Sequence, residues 1–198
     1  MSTFPNKKFR GHVYSFEHLE HTSIEILFNN GAIKVKIFVT FGSHCFTEEF
    51  KPDTHNQEYV YRHNGELRAF DIVRYECSKK LPNIINNMAN GTVYKSYKSY
   101  TYVSHIQIAS LLGEQAYSIF FSLKKRNTIN SELSEIHLDM YIKSAYPCSL
   151  KSKKMPKIGG LRGLFVKWSV LSKGVDLREV DLVKFWCTIE TDSSRASE

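Results

Sequence analysis

The stretch GAIKVKIFVTFGSHCFT, residues 31–47, decides the fold, because apolar and polar side chains alternate along it before a cluster of polar groups. A period of two indicates a β-strand that buries one of its faces. The predicted strand leads directly into the segment FGSHCFT, residues 41–47. The apolar positions of the alternation are Ile33, Val35, Ile37, Val39 and Phe41.

A second alternating run precedes this strand, and Asn30-Gly31 lies between the two runs. Asn-Gly favours a type I′ turn, because both central residues of that turn need positive φ. Folding the chain there sets Glu25 opposite Lys36 on one face of the ribbon. Because a single register satisfies this charge pair and the apolar pairs, we predict a β-hairpin. The apolar pairs are Phe28 with Ile33, Ile26 with Val35, and Ile24 with Ile37.

His44 and Cys45 are adjacent at the end of the predicted strand, which suggests either a metal site or a reactive thiolate. A metal site needs further ligands at suitable spacing, and the other cysteines (Cys77, Cys148 and Cys187) are scattered without a Cys-x-x-Cys pair. Neighbours in a strand point to opposite faces, which disfavours direct contact between a nucleophile and its base. The sequence therefore predicts no metal site, and it favours a buried Cys45 beside a half-exposed His44.

The chain of 198 residues fits one domain, which we place at residues 1–191, with 192–198 as a disordered tail. No run of 18 apolar residues occurs, and no charged and then apolar leader opens the sequence. Membrane insertion and signal-peptide secretion are therefore not expected. Four unpatterned cysteines fit a reducing compartment, so we expect a cytoplasmic protein without a cofactor.

The net charge of +7 is concentrated in one window, residues 150–175, which carries seven basic side chains and no acidic one. Such a cluster attracts polyanions, and we expect nucleic acid, RNA more than DNA, or an acidic protein as its partner. A solvated basic loop is the alternative interpretation. The basic residues are Lys151, Lys153, Lys154, Lys157, Arg162, Lys167 and Lys173.

Residues 93–108 interleave tyrosine, lysine and hydroxyl side chains. If they form one strand, Tyr94, Tyr100 and Tyr102 share a face, where tyrosines can stack on bases and lysines can hold phosphates. The same composition is typical of an ordinary β-strand. We therefore include Tyr100 and Tyr102 among the candidate nucleic-acid contacts.

Helical spacing replaces the alternation from residue 68 to about 89. Pro82 is tolerated only at a kink or in the first turn of a new helix. The sequence thus predicts either one kinked helix or two elements, the first ending near Ser78. Asp71 can bond Arg74 or Tyr75 on this segment, which we interpret as a surface ion pair.

Two further alternating runs, residues 117–123 and 136–142, predict neighbouring antiparallel strands, and Pro147 ends the second. Together these elements predict an α+β fold, a mostly antiparallel β-sheet with one helical segment packed on it.

Three segments resemble a poorly characterised family of short bacterial and prophage proteins, some of them named for stationary-phase growth adaptation or heat shock. The segments are FGSHCFT (41–47), RAFDIVRYECSKKLP (68–82) and MYIKSAY (140–146), the last preceded by YSIFF (117–121). The resemblance extends over roughly residues 10–171. It departs from the family pattern at Asp71, where a small residue is usual. It implies a cytoplasmic protein tied to mobile elements or stress, and it carries no established activity.

The predicted order of elements is also similar to small ribonuclease toxins of the barnase–RelE kind. This resemblance implies RNA cleavage by basic, hydroxyl and histidine groups without a metal. In this chain His44 is the candidate general acid or base, and Arg74, Lys143 or Lys124 would stabilise the charge of the phosphorane. Ser144 and Tyr146 would donate hydrogen bonds to the phosphate.

Three functions follow from these patterns. The first is a nucleic-acid- or acidic-protein-binding protein that uses the basic window. The second is the metal-independent ribonuclease with the candidate catalytic residues above. The third is a structural or regulatory subunit whose sheet edge pairs with a partner.

Overall fold

A computed structural model describes residues 3–28, 33–88, 92–95, 102–126, 135–148 and 157–160, which all lie in the compact unit Met1–Phe165. The predicted domain end at residue 191 and the tail lie outside the described residues. The helices are α1 (Ile72–Ser78) and α2 (Leu81–Asn87), with 3-10 turns at Glu17–Leu19 and Gln57–Tyr59. The strands are β1 (Lys7–Phe9), β2 (His12–Tyr14), β3 (Thr22–Phe28), β4 (Ile33–His44), β5 (Thr47–Glu49), β6 (Val60–His63), β7 (Glu66–Phe70), β8 (Thr92–Lys95), β9 (Tyr102–Ser110), β10 (Gly113–Lys125), β11 (Glu135–Pro147) and β12 (Lys157–Gly160).

The described strands form three sheets, of which the largest has seven strands in the order β12-β8-β9-β10-β11-β4-β3. All of its neighbours are antiparallel except β11 and β4, which run parallel. The α+β prediction with a mostly antiparallel sheet is therefore confirmed. Because β4 and β11 run parallel, their carboxyl ends lie at the same end of the sheet.

The hairpin β3–β4 forms with the predicted register, in which Ile26 lies opposite Val35 and Glu25 opposite Lys36. Glu25 accepts from Lys34 Nζ at 3.1 Å, and Lys36 Nζ lies 3.8 Å from the same carboxylate oxygen. The turn itself lies outside the described residues. The hairpin does not organise all strands into one sheet, because β5-β7-β6 and β1-β2 are separate.

The helical segment differs at its start from the predicted range of 68–89. Residues 68–70 belong to β7, which pairs with β5, so a helix from residue 68 is wrong. Asp71 begins α1 as its N-cap, and its carboxylate accepts from the backbone N–H groups of Val73 at 2.9 Å and Arg74 at 3.1 Å. A second helix begins at Leu81 with Pro82 in its first turn, which confirms the two-element alternative. Neither described helix is long and apolar enough to cross a membrane.

Within residues 93–108, those that the structure describes belong to two strands instead of one. β8 and β9 pair antiparallel, with Tyr94 opposite Val103 and Lys95 opposite Tyr102. The prediction that Tyr94 and Tyr102 share one face of one strand is therefore wrong. Alternation reports the pleat of a strand but does not show where the chain turns back.

The core of the large sheet comes from the two long neighbours β10 and β11, which are antiparallel as predicted. Helix α1 packs against β11 and β9. The sheet therefore has a mainly apolar interior, with Ser104 and Ser118 as buried polar residues. Its buried side chains include Tyr117, Ile119, Phe121, Leu123, Leu138, Met140 and Ile142.

The N-terminal segment forms a second, aromatic core. The basic composition of residues 1–10 predicts a loose lead-in, but Phe4 is 1% exposed and Phe9 is 4% exposed. Phe4 contacts Phe16 and Phe46 in edge-to-face geometry, at centroid distances of 6.2 and 5.1 Å. The apolar gain from these rings overrides the polar residues around them.

Candidate functional site

The candidate site lies where the parallel strands β4 and β11 end. Their register sets Ser144 opposite His44, after a shift in which Lys143 faces the two residues Gly42 and Ser43. A second shift interrupts the pairing of β10 with β11 between Phe120 and Phe121. Bulges of this kind redirect side chains and are common beside functional sites. Both shifts occur beside Lys143 of β11.

Gly42 allows the close approach of the two strands. A β-carbon at this position would lie 2.6 Å from the Tyr141 hydroxyl and 2.9 Å from the Lys143 carbonyl oxygen. The backbone oxygen has little freedom to withdraw, so a side chain at residue 42 would force β4 and β11 apart. Glycine therefore sets the position of Tyr141 over the end of β4.

The Gly42→Ala variant should lose about 1–3 kcal/mol of free energy of unfolding, the usual cost of overpacking. Urea denaturation measures this loss. Combining Gly42→Ala with Tyr141→Phe should recover part of it, because the hydroxyl in closest contact is removed. An unchanged urea midpoint for Gly42→Ala would contradict the close approach.

Thr47 anchors two arginine side chains from different elements. It is fully buried, and its hydroxyl donates to the carbonyl oxygen of Ser43 at 2.8 Å. The same hydroxyl accepts from Nε of Arg68, on β7, at 2.8 Å. The Thr47 carbonyl oxygen accepts from Nη1 of Arg74, on α1, also at 2.8 Å. One residue thus brings two guanidinium groups to the end of β4.

Arg74 is further fixed by a carboxylate and an aromatic ring. Its Nε lies 3.3 Å from Asp71 Oδ2, and its guanidinium carbon lies 4.6 Å from the centre of the Tyr146 ring. Tyr146 stacks in turn on Phe120 at 5.5 Å. The predicted Asp71–Arg74 pair is present, but its side chains are only 20% and 22% exposed, so it is more buried than a surface pair. These contacts hold the guanidinium plane in one orientation.

Arg68 lies among charged groups of both signs. Burial is the main cause that lowers the pKa of Arg68; the charge of Glu66 opposes it, Arg74 lowers the pKa further, and Glu49 and Glu48 raise it. Among the described residues, the two Nη nitrogens of Arg68 have no hydrogen-bond partner. Two like charges held this close favour a bound anion, because an anion relieves their repulsion.

His44 stands beside this arginine pair. Its Nε2 lies 3.2 Å from Glu66 Oε2, and the two side chains are 40% and 57% exposed. An ionised carboxylate only accepts, so the proton lies on Nε2 and the Nδ1 lone pair is left for another partner. Burial and the charge of Arg68 lower the pKa of His44, while Glu66 opposes them. His44 is therefore neutral near pH 7.

Tyr141 completes this end of the sheet. Its side chain is 45% exposed, and its hydroxyl lies over Gly42. Burial, and to a smaller extent Cys45 and Glu66, raise the pKa of Tyr141, so its hydroxyl keeps its proton and remains a hydrogen-bond donor.

Of the candidate catalytic residues, five lie at this site, whereas Lys124 pairs with Asp139 toward the other end of the sheet. His44 lies opposite Ser144, and Arg74 lies on the ring of Tyr146. Lys143 occupies the bulge itself. Four further residues of the site are not predicted from the sequence: Thr47, Glu66, Arg68 and Tyr141. The alternation of Glu66 with Arg68 was the available signal, and the assignment of residue 68 to a helix obscured it.

Most of the candidate nucleic-acid contacts lie outside the described residues: Lys151, Lys153, Lys154, Arg162, Lys167 and Tyr100. Two of them are described by their backbone alone. Lys157 pairs with Tyr94 in β12–β8, and Tyr102 lies in β9. Their role in binding stays a prediction.

Cys45 is fully buried, with its Sγ 3.9 Å from the carbonyl oxygen of Ile142. Burial raises the pKa of this thiol to about 12, so it is not a thiolate at neutral pH. The interpretation as a buried cysteine is confirmed. In the part of the chain that the structure describes, no three His, Cys, Asp or Glu side chains form a group that could hold a metal ion.

A second histidine–serine pair lies away from the site, where His18 Nε2 is 2.8 Å from Ser78 Oγ. The serine hydroxyl donates to the Tyr75 carbonyl oxygen at 2.7 Å, so it accepts from His18 and is not activated as a nucleophile. Burial lowers the pKa of His18 to about 4. This pair serves the packing of α1.

Comparison with known proteins gives one match. The model of the YjaZ family covers residues 6–167, a range that includes every residue of the site. No curated protein and no solved structure matches the chain. The match supports the expected membership of a poorly characterised bacterial family, while the likeness to ribonuclease toxins is not part of it. The chain belongs to the YjaZ family.

Proposed function

We propose that this protein binds nucleic acid, with RNA preferred to DNA. The site at the carboxyl ends of β4 and β11, the strand-end site, holds one phosphate group of the nucleic acid. The observation that carries this proposal is the arginine pair, in which Thr47 holds Arg68 and Arg74 side by side. Guanidinium groups match the geometry of phosphate oxygens, and these two are oriented before any ligand arrives. The net charge of +7 adds a long-range attraction for polyanions.

Single-stranded nucleic acid is the form that suits this surface. The exposed Tyr141 side chain lies over Gly42, at the same ends of β4 and β11, and an exposed aromatic ring next to a phosphate site can stack an unpaired base. RNA is favoured because the lone pair on His44 Nδ1 can accept from a ribose 2′-hydroxyl, which DNA lacks.

Replacing Arg68 with alanine should weaken RNA binding about tenfold, because one charged contact to phosphate is lost. Fluorescence anisotropy with a labelled single-stranded RNA measures the dissociation constant over a range of salt concentrations. The slope of log Kd against log salt should fall by about one for this variant.

The matched control is Arg62→Ala, because Arg62 is exposed on the neighbouring strand β6 and carries the same charge. Its dissociation constant for RNA should stay within about twofold of the wild-type value, as expected for a charge that does not contact the phosphate. Equal weakening by both variants would mean that only net charge matters. Absence of binding to either nucleic acid would overturn the proposal and leave an acidic protein as the partner to test.

A further inference from the structure

The site contains side chains that phosphate binding alone does not require. Arg68 and Arg74 already suit an anion, yet a histidine–glutamate pair stands next to them. Because the Glu66 carboxylate accepts a hydrogen bond from the Nε2–H group of His44, the free lone pair of the ring is on Nδ1. The ring is 40% exposed, so a bound substrate can reach it.

Resting on the function proposed above, we propose that the site cleaves the RNA it binds, with His44 as the general base and the two arginines on the reacting phosphate. Glu66 is then a positioning residue, which fixes the tautomer of His44.

The reaction is a transesterification within the RNA. His44 Nδ1 takes the proton of the 2′-hydroxyl, and the 2′ oxygen forms a bond to phosphorus. The bond from phosphorus to the 5′ oxygen breaks, and that oxygen takes a proton from water. Protonated His44 returns its proton to the resulting hydroxide. The products are a 2′,3′-cyclic phosphate and a 5′-hydroxyl end.

The charges around the site suit this reaction. The phosphorane carries more negative charge than the bound diester, and Arg68 and Arg74 are fixed where that charge develops. The Tyr141 hydroxyl stays protonated and can donate to a phosphate oxygen. Burial, and then the charges of Arg68 and Arg74, lower the pKa of His44, which keeps the base unprotonated near pH 7.

Single-stranded RNA of mixed sequence, end-labelled and incubated with the full chain in excess EDTA, tests the proposal. We expect cleavage with 2′,3′-cyclic phosphate ends, identified by mass spectrometry. Matched DNA and 2′-O-methyl RNA should bind but stay intact, because neither offers a free 2′-hydroxyl. His44→Gln should cleave RNA at least about 100-fold more slowly than the wild type. Its affinity for RNA, measured by anisotropy, should stay within about twofold of the wild-type value.

His21→Gln is the matched control, because His21 is exposed and lies outside the site. It should cleave like the wild type, so that loss of cleavage in His44→Gln alone separates the enzyme from a contaminating nuclease. Equal cleavage by wild type and His44→Gln would overturn the proposal.

Glu66→Gln tests the positioning role through the pH profile. His44 faces Glu66 and Arg68 from β7 and Arg74 from α1, and Tyr141 from β11 lies near the same Glu66 carboxylate. Since Glu66 raises the pKa of His44, its neutralisation should move the rising limb of the rate profile to lower pH. A profile that keeps its position would contradict this role.

The two proposals fail in different ways. RNA that binds without yielding a cyclic phosphate overturns the cleavage and leaves the binding function. If neither nucleic acid binds and no RNA is cleaved, both proposals are wrong.

Discussion

The Phe16→Ala variant should lose about 3–5 kcal/mol of free energy of unfolding, because a fully buried aromatic ring leaves a cavity when it is truncated. Phe16 is 0% exposed, and its ring centre lies 4.1 Å from that of Phe46. Its other ring neighbours come from the N-terminal segment, β6, β7 and α1. They are Phe4, Tyr61, Phe70 and Tyr75.

Urea denaturation measures this loss, and Val13→Ala is its control. Val13 is 67% exposed, so its truncation should change stability by less than about 0.5 kcal/mol. Phe16→Leu keeps part of the ring's volume and should fall between the two. If Phe16→Ala were as stable as Val13→Ala, the aromatic cluster would not be a core of the protein.

The aromatic core also supports the site. Phe46 is fully buried among Phe4, Phe16 and Tyr61, and it lies between His44 and Thr47 in the chain. Its fixed position holds the chain where β4 turns into β5. The N-terminal segment therefore stabilises the geometry of the strand-end site as well as the fold.

The elements that the sequence predicts well depend on local patterns. The hairpin β3–β4 follows from alternation plus the charge pair of Glu25 with Lys36, and both lie within one short ribbon. The parallel pairing of β4 with β11 was not predicted, although it creates the site. Its partners are about a hundred residues apart, and the period of a strand carries no information about which distant strand it joins.

The residues of the site can likewise be predicted only in part from the sequence. His44 is a candidate from the sequence because histidine titrates near neutral pH, and Arg74 because a guanidinium group stabilises the charge of a phosphorane. Thr47 gave no such signal, since one of its two arginine contacts uses a backbone oxygen. Arg68 was missed because the helical spacing that begins further along the chain was extended too far toward the N-terminus.

Replacing Thr47 with valine should destabilise the protein by about 2–3 kcal/mol and weaken RNA binding about tenfold. Valine keeps the shape but removes the hydroxyl, so the Ser43 carbonyl oxygen and Nε of Arg68 each lose a partner. The Ser43 carbonyl oxygen still accepts from the Phe46 N–H at 3.1 Å, whereas Nε of the partly buried Arg68 loses the hydroxyl to which it donates, and an unpaired polar atom in such a position is costly. Arg68 also loses the contact that orients it. Urea denaturation and RNA anisotropy measure the two effects.

Thr47→Ser separates the hydroxyl from the methyl group. It should cost about 1 kcal/mol, the value of one buried methyl, and should bind RNA like the wild type. Thr47→Val that binds as tightly as Thr47→Ser would mean that the hydroxyl does not orient Arg68 for phosphate. Loss of affinity in the valine variant alone would support a guanidinium pair whose orientation, and not merely its charge, recognises the ligand.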